Sequence, residues 1–178
     1  MSKQETATFS HYGISPWEIE VLYDTLRRSF DVQERQLEPD DPQYVSMIEI
    51  GFPMTFDEAF FQTFKMESWF KIKGVIKDAK RRRGKKGLKA IVRFESNVGK
   101  VPSVTFPLLS KGDRQFEMGI EKLEYLVDIV PIQLKTIPPG TEEVWFSYDE
   151  ASFRWSPSVA KTSSDRNFIF KNSEWKTK

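Results

Sequence analysis

The 178-residue chain contains no cysteine and a single histidine, and each of these shortages excludes a class of chemistry. Without cysteine there can be no disulfide, no thiolate nucleophile and no cysteine-ligated zinc or iron–sulfur centre. Without a second histidine there can be no multi-histidine metal site. The one histidine, His11, lies in an N-terminal stretch that we expect to be mobile, and a mobile segment does not hold a general base accurately enough for catalysis. A Ser-His-Asp triad is therefore excluded as well.

The sequence also lacks the glycine-rich and serine-centred motifs of common enzymes. Its nine glycines are dispersed, and neither GxxxxGK, GxGxxG nor GxSxG occurs. Carboxylates are plentiful, so a carboxylate-metal hydrolase built on Glu49 and Glu95, or on Glu18 and Asp24, is one alternative. Because 26 Asp and Glu residues share one chain, close carboxylate pairs also arise by chance. We therefore expect a protein that is not an enzyme, with no catalytic residue, no bound metal and no cofactor.

Long apolar runs are missing too. The longest, at residues 126–132, is interrupted by Asp128 and Pro131 and is too short to span a bilayer. No apolar segment follows the polar N-terminal residues in the way that a signal peptide requires. Together with the absence of cysteine, these observations predict a cytoplasmic protein that does not interact with membranes.

What the chain does contain is the composition of one globular domain. It is 39% hydrophobic and 30% charged, which argues against disorder, and its 14% of aromatic residues predicts a bulky core. We expect a flexible arm at residues 1–14, a single domain at 15–171 and a flexible tail at 172–178. Because helical and strand patterns are interspersed, we predict an α+β fold with about three helices packed on a mainly antiparallel sheet.

The first two expected helices have recognisable start signals. Ser15 and Glu18 have the spacing of a capping box, with a proline between them at the first helical position. Thr55 and Glu58 repeat that spacing before a second, phenylalanine-rich helix. A third helix is predicted over residues 113–130, with an acidic outer face and a proline at its end. The acidic side chains of that face are Glu117, Glu121, Glu124 and Asp128.

Strands are predicted wherever apolar and polar residues alternate. The stretch 68–77 is ambiguous, because a helix there would scatter its apolar residues around the circumference, whereas a strand places them on one face. We therefore predict a strand, joined through the glycines of residues 84–87 to a second strand at 88–94. The two strands form a protruding β-hairpin with a basic tip and a basic outer face. The remaining strands are expected at residues 44–52, 101–108, 143–149, 152–156 and 167–171.

The C-terminal strands carry aromatic residues at alternate positions, from Phe146 to Phe170. These aromatic faces are either core packing, which we favour, or a stacking platform for single-stranded nucleic acid. Trp145 lies on the opposite face of its strand, among polar neighbours. The sequence therefore leaves open whether Trp145 is an exposed contact residue or is buried under a helix.

The strongest signal is the concentration of positive charge in and around the predicted hairpin. Residues 77–89 hold eight Lys or Arg residues and one Asp, a net charge of +7 in a chain whose total is +1. Like charges on neighbouring strands repel each other, so fold stability does not explain the arrangement, whereas a polyanionic partner does. The candidate binding residues are Lys71, Lys73, Lys77, Lys80, Arg81, Arg82, Arg83, Lys85, Lys86, Lys89 and Arg93.

These residues lead to a functional hypothesis with two alternatives. We expect a non-enzymatic protein that binds nucleic acid, or another polyanion, through the basic hairpin with little sequence specificity. The first alternative is an interaction or inhibitor-type protein that uses the same surface on an acidic protein partner. The second is the carboxylate-metal hydrolase. A nuclear import signal, or a charged surface without any special role, would give the same pattern.

Overall fold

The computed structural model describes residues 4–96, 99 and 101–178 and arranges them around one mixed β-sheet. Its strands are β1 (Thr6–Tyr12), β2 (Asp31–Gln36), β3 (Ser46–Phe52), β4 (Leu88–Phe94), β5 (Ser103–Leu108), β6 (Thr141–Asp149), β7 (Arg154–Thr162), β8 (Asn167–Lys171) and β9 (Glu174–Thr177). They lie in the order β2-β1-β3-β4-β5-β6-β7-β8-β9. The α-helices are α1 (Pro16–Arg27), α2 (Glu58–Phe64), α3 (Met66–Arg83), α4 (Asp113–Glu121) and α5 (Val130–Gln133). Short 3-10 helices occupy Gly84–Lys86, Leu123–Asp128 and Leu134–Thr136.

The α+β class is as expected, but the prediction of about three helices on a mainly antiparallel sheet is wrong. The pairs β1–β2, β3–β4 and β5–β6 are parallel, so the sheet is mixed. Each parallel pair is joined by a helical crossover: α1 links β1 to β2, and α2 and α3 link β3 to β4. The segment 113–136, which contains α4, α5 and two of the 3-10 helices and which we call the α4 region, links β5 to β6. A crossover helix returns the chain to the end at which the preceding strand began, so the next strand runs in the same direction.

The predicted basic β-hairpin does not exist, because residues 66–83 form the helix α3 instead. One side of α3 is apolar at helical spacing and buried against the core: Trp69, Ile72, Ile76 and Ala79. Lys73 and Lys80 are buried as well, because acidic side chains of the α4 region cover them. The helix α3 is therefore covered on two sides, by the core and by the α4 region, and this explains why its apolar residues are not confined to one stripe. The strand at residues 88–94 is confirmed as β4, but its neighbours are β3 and β5.

Both terminal segments that were expected to be flexible contain strands. Residues 1–14 include β1, which lies inside the sheet between β2 and β3, and residues 172–178 include β9 at one edge. In β1 the exposed residues alternate with buried ones such as Phe9 and His11. The polar residues that suggested a mobile arm are therefore the outer face of a half-buried strand.

The helices begin and end partly as predicted. The capping box of α1 is confirmed: the Ser15 N–H donates to Glu18 Oε1 at 2.8 Å, and the Glu18 N–H donates to Ser15 Oγ at 3.2 Å. The cap of α2 is Asp57, two residues after the predicted position. The helix predicted over 113–130 is divided into α4, a 3-10 helix and α5, and Pro131 lies in the first turn of α5. Within the described ranges, no helix is both long enough and apolar enough to cross a membrane.

The core lies between the helices and one face of the sheet, and aromatic rings dominate it. The rings of Phe52, Phe60 and Phe94 contact one another, with centroids 4.7 to 5.3 Å apart. Each such pair contributes about 0.5–1.5 kcal/mol beyond the area it buries. Phe146 and Trp155 from the C-terminal strands join this core, as the alternating pattern favoured.

Candidate functional site

Two of the eleven predicted binding residues are buried in the protein and cannot reach a partner. Lys73 is 2% exposed, and its Nζ donates to Glu124 Oε1 at 2.7 Å and to Glu121 Oε2 at 3.1 Å. Lys80 is 0% exposed, and its Nζ donates to Asp113 Oδ1 at 2.6 Å and to two backbone carbonyls. Because carboxylates and carbonyls accept hydrogen bonds from both buried ammonium groups, these contacts hold α3 against the α4 region.

Lys77 and Arg81 continue the same row of ion pairs towards solvent. Lys77 pairs with Glu121, and Arg81 Nε donates to Glu117 Oε1 at 2.6 Å. Burial raises the pKa of Glu121, but the hydrogen bonds and charges of Lys77 and Lys73 more than offset it, so the pKa lies below its usual value. Three of the four acidic residues predicted for the outer face of the third helix, Glu117, Glu121 and Glu124, thus pair with basic residues of α3.

Lys89 and Arg93 lie on β4, away from α3. Lys89 Nζ is 3.6 Å from Asp40, and the Arg93 guanidinium is 3.4 Å from Glu49 and 3.8 Å from Glu95. Arg93 and Glu49 thus pair across the exposed side of the sheet. Trp145, whose exposure the sequence left open, is half-buried beside them, and the Arg93 guanidinium lies 5.8 Å from its ring centroid.

Arg83, at the end of α3, forms several hydrogen bonds with the start of α1. Its guanidinium donates to both oxygens of Glu18, at 2.8 and 3.0 Å, and to the carbonyls of Gly13 and Ala79. Glu18 is only 1% exposed. Burial raises the pKa of Glu18, but the hydrogen bond and charge of Arg83 and the hydrogen bonds with Ser15 more than offset it, so the pKa is lowered. Arg83 therefore neutralises a buried carboxylate and adds little positive charge to the surface.

The remaining cations divide into one cluster and one isolated residue. Arg82, Lys85 and Lys86 are exposed at the C-terminal end of α3, whereas Lys71 lies about 16 Å earlier on the helix. In the part of the chain that the structure describes, neither Lys85 nor Lys86 has an ion pair. The Arg82 guanidinium lies 5.4 Å from the ring centroid of Trp17, which is 51% exposed. We call Trp17, Arg82, Lys85 and Lys86 the cationic corner.

A groove of about 440 Å³ opens beside the cationic corner. Arg82 and Lys86 line its rim, and the buried pair of Glu18 with Arg83 lies against it. Val45, an apolar side chain that is 47% exposed, lines it as well. The groove thus combines exposed positive charge with exposed apolar surface, as protein interfaces do.

The carboxylates proposed as metal ligands lie beside other charged side chains. Glu49 and Glu95 both form ion pairs with Arg93. Over the described residues, no three His, Asp or Glu side chains lie close enough together to hold a metal. The predicted mobile His11 is buried, with its Nε2 2.9 Å from Glu34 Oε1.

Sequence reasoning missed Trp17. The residue lies outside the apolar stripe of α1, which is the available sign that it faces solvent. Its contact with Arg82 could not be predicted from the sequence, because the two residues are 65 positions apart and meet only when α1 packs beside α3. Comparisons of the chain with family models, with curated proteins and with solved structures find no match.

Proposed function

We propose that this protein is a non-enzymatic binding protein whose cationic corner engages an acidic surface on a protein partner. The observation that carries this proposal is the distribution of the positive charge. The carboxylates of the α4 region bind most of the cations of α3 internally, while Arg82, Lys85 and Lys86 stay exposed and close together. Lys85 and Lys86 have no ion pair among the described residues, and the one carboxylate near Arg82, that of Glu18 at 4.0 Å, is already bound by Arg83. Adjacent like charges with so little compensation favour a partner that supplies negative charge.

The neighbours of these charges favour a protein as that partner. Trp and Arg are the residues most enriched where alanine substitution weakens protein interfaces, and Trp17 and Arg82 lie stacked at the surface. The stacking restrains the Arg82 side chain before binding, so that less conformational entropy is lost in the complex. Exposed Val45 adds apolar area next to the charges.

Single-stranded nucleic acid is the second candidate, and one observation favours it. A half-exposed indole beside an arginine offers a base a stacking surface and the adjacent phosphate a cation. If the three exposed cations each contact a phosphate, the logarithm of affinity should fall against the logarithm of salt with a slope of about −2. A long duplex is a poorer fit, since the cations do not form the extended row that the hairpin would have provided.

A charge-matched pair of variants tests the proposal. The corner variant is Arg82→Ala/Lys85→Ala/Lys86→Ala, and the control is Arg28→Ala/Lys71→Ala/Lys135→Ala, which removes three exposed cations elsewhere. Fluorescence anisotropy with labelled poly-glutamate, single-stranded DNA and double-stranded DNA is measured across a salt series. We expect poly-glutamate to bind the native protein and the control, and to bind the corner variant about tenfold more weakly.

The possible outcomes separate the two candidates. Binding of single-stranded DNA but not poly-glutamate, lost in the corner variant, would replace the protein partner with nucleic acid. Equal weakening in both triple variants would mean that only net charge matters, and would overturn both candidates. The cytoplasmic location predicted from the sequence is likewise a proposal, which fractionation of cells expressing the tagged protein tests.

A further inference from the structure

A second surface, at the opposite end of α3, exposes apolar side chains. It comprises Met66, Phe70, Tyr125, Ile129 and Ile132, which we call the apolar ridge. These are five of the nine large apolar side chains that are exposed in the described residues. Exposed apolar patches of this kind are uncommon on proteins that bind nothing. The ridge is therefore a candidate binding surface.

The ridge extends from α3 across the 3-10 helix Leu123–Asp128 to α5. Met66 and Phe70 are one helical turn apart on α3, so they face the same way. Tyr125 lines a groove together with Met66 and a second groove together with Ile129. Tyr125 is 71% exposed and thus stands between two depressions, of about 360 and 490 Å³.

Hydrogen bonds within the protein hold the wall of the second groove, the one beside Ile129, in place. Its wall includes Trp155, whose Nε1 donates to the carbonyl of Gly119 at 2.9 Å. Phe153 forms another part of the wall and has a φ of 56°, a left-handed conformation that bulky residues rarely adopt. Lys122 Nζ donates to the Phe153 carbonyl at 2.7 Å and so holds that conformation. Preformed apolar grooves of this kind are typical binding sites.

Charge distinguishes the two ends of the ridge. The groove beside Met66 is lined by the carboxylates of Glu58, Glu124 and Asp128, and none of its lining residues is a cation. Glu124 is bound to Lys73, whereas Glu58 and Asp128 are exposed and have no ion pair among the described residues. The groove beside Ile129 instead has Lys122 and Arg154 in its lining.

We propose that the apolar ridge docks an amphipathic helix of a partner protein. Its apolar side chains, one helical turn apart, enter the two grooves on either side of Tyr125. Its Lys or Arg residues lie opposite Glu58 and Asp128, and its acidic residues lie towards Arg154. Helices are stabilised by acidic residues at the N-terminus and basic residues at the C-terminus, so the C-terminal end lies over Glu58 and Asp128. This proposal does not depend on the cationic corner, which is about 24 Å away along α3.

A displayed library of random peptides of about 15 residues, long enough for a marginal helix, tests the proposal without a known partner. The library is selected in parallel on the native protein and on Tyr125→Ala. We expect peptides enriched on the native protein alone to carry apolar pairs at i and i+4 with Lys or Arg towards the C-terminus. A labelled synthetic copy of one such peptide is then used to measure affinity.

Two variants and one control determine where that peptide binds. Tyr125→Ala should weaken binding at least about tenfold, and Glu58→Gln/Asp128→Asn should weaken it severalfold and reduce its salt dependence. Trp17→Ala, which removes an exposed aromatic side chain from the cationic corner, should leave the affinity unchanged. Circular dichroism of each variant checks that the fold is retained, which the exposure of all these residues favours.

Three outcomes would overturn the proposal. One is equal enrichment on the native protein and on Tyr125→Ala, and another is enrichment of acidic or proline-broken peptides. The third is a dimer in sedimentation that Tyr125→Ala dissociates, because the ridge would then be a contact between two copies of this chain.

Discussion

The carboxylate of Glu18 joins the start of α1 to the end of α3. It accepts the Ser15 N–H, which caps α1, and it accepts the Arg83 guanidinium across the fold. The pKa of Glu18 is lowered in the folded protein, so its contribution to stability is complete above the unfolded pKa of about 4.3. That contribution disappears as the pH falls through the lower, folded pKa, because the protonated group no longer balances Arg83.

We therefore expect Glu18→Gln to destabilise the protein at pH 7 by roughly 3 kcal/mol, since it leaves the guanidinium of Arg83 without its counter-charge. The difference from the native protein should shrink below pH 4, where the native carboxyl is itself protonated. Urea unfolding at several pH values measures both effects. The control is Glu20→Gln, which removes an exposed carboxylate from the same helix and should cost less than about 0.5 kcal/mol. A pH-independent loss for Glu18→Gln would contradict the assignment.

At the scale of elements, α3 and the α4 region are held together by ion pairs as well as by apolar packing. Lys73 and Glu124 form the innermost pair, and Trp69 Nε1 donates to the same carboxylate at 3.0 Å. We expect Lys73→Met to cost roughly 3 kcal/mol, because it strands a carboxylate that is 7% exposed. Lys73→Met/Glu124→Gln should recover much of this loss, because glutamine still accepts the indole N–H and carries no charge.

Denaturant unfolding of the native protein, both single variants and the double variant gives the coupling energy of this pair. A favourable coupling of about 1–3 kcal/mol is expected for partners in one buried network. The matched control is Lys71→Met, which alters an exposed lysine two residues away and should leave stability nearly unchanged. Additive losses in the double variant would mean that the pair of Lys73 with Glu124 contributes no coupling energy to the contact between α3 and the α4 region.

The same elements explain which sequence predictions were successful. The capping box of α1 was predictable because Ser15 and Glu18 are three residues apart and interact locally. The helix α3 was not predictable in this way. The carboxylates that allow Lys80 and Lys73 to be buried lie 33 and 51 residues away along the chain. Local periodicity contains no information about such distant partners, so the sequence predicts Lys73 on the exposed face of a strand and Lys80 in the tip of a hairpin. The cationic corner was predicted only as part of a larger basic surface.

At the scale of the whole molecule, the position of β1 was the feature least accessible from sequence. Its polar residues suggested an arm, yet the strand pairs with β2 on one side and with β3 on the other. The order of strands depends on which helices cross over, and those crossovers were unknown once α3 had been taken for a strand. An internal strand and an edge strand should differ sharply in how much of the fold depends on them.

Two truncations test this difference. Deleting residues 1–12 removes β1, which buries Phe9 and Tyr12, and it leaves β2 without a neighbour. Burial of each such ring contributes about 2–3 kcal/mol, so the combined loss approaches the 5–15 kcal/mol that stabilises a typical domain. We expect this variant to lose cooperative thermal unfolding. Deleting residues 174–178 removes only the edge strand β9 and should lower Tm by several degrees while unfolding stays cooperative. If the first deletion unfolded as cooperatively as the second, β1 would have to be an addition to the sheet, and the arm predicted from the sequence would be the better description of residues 1–12.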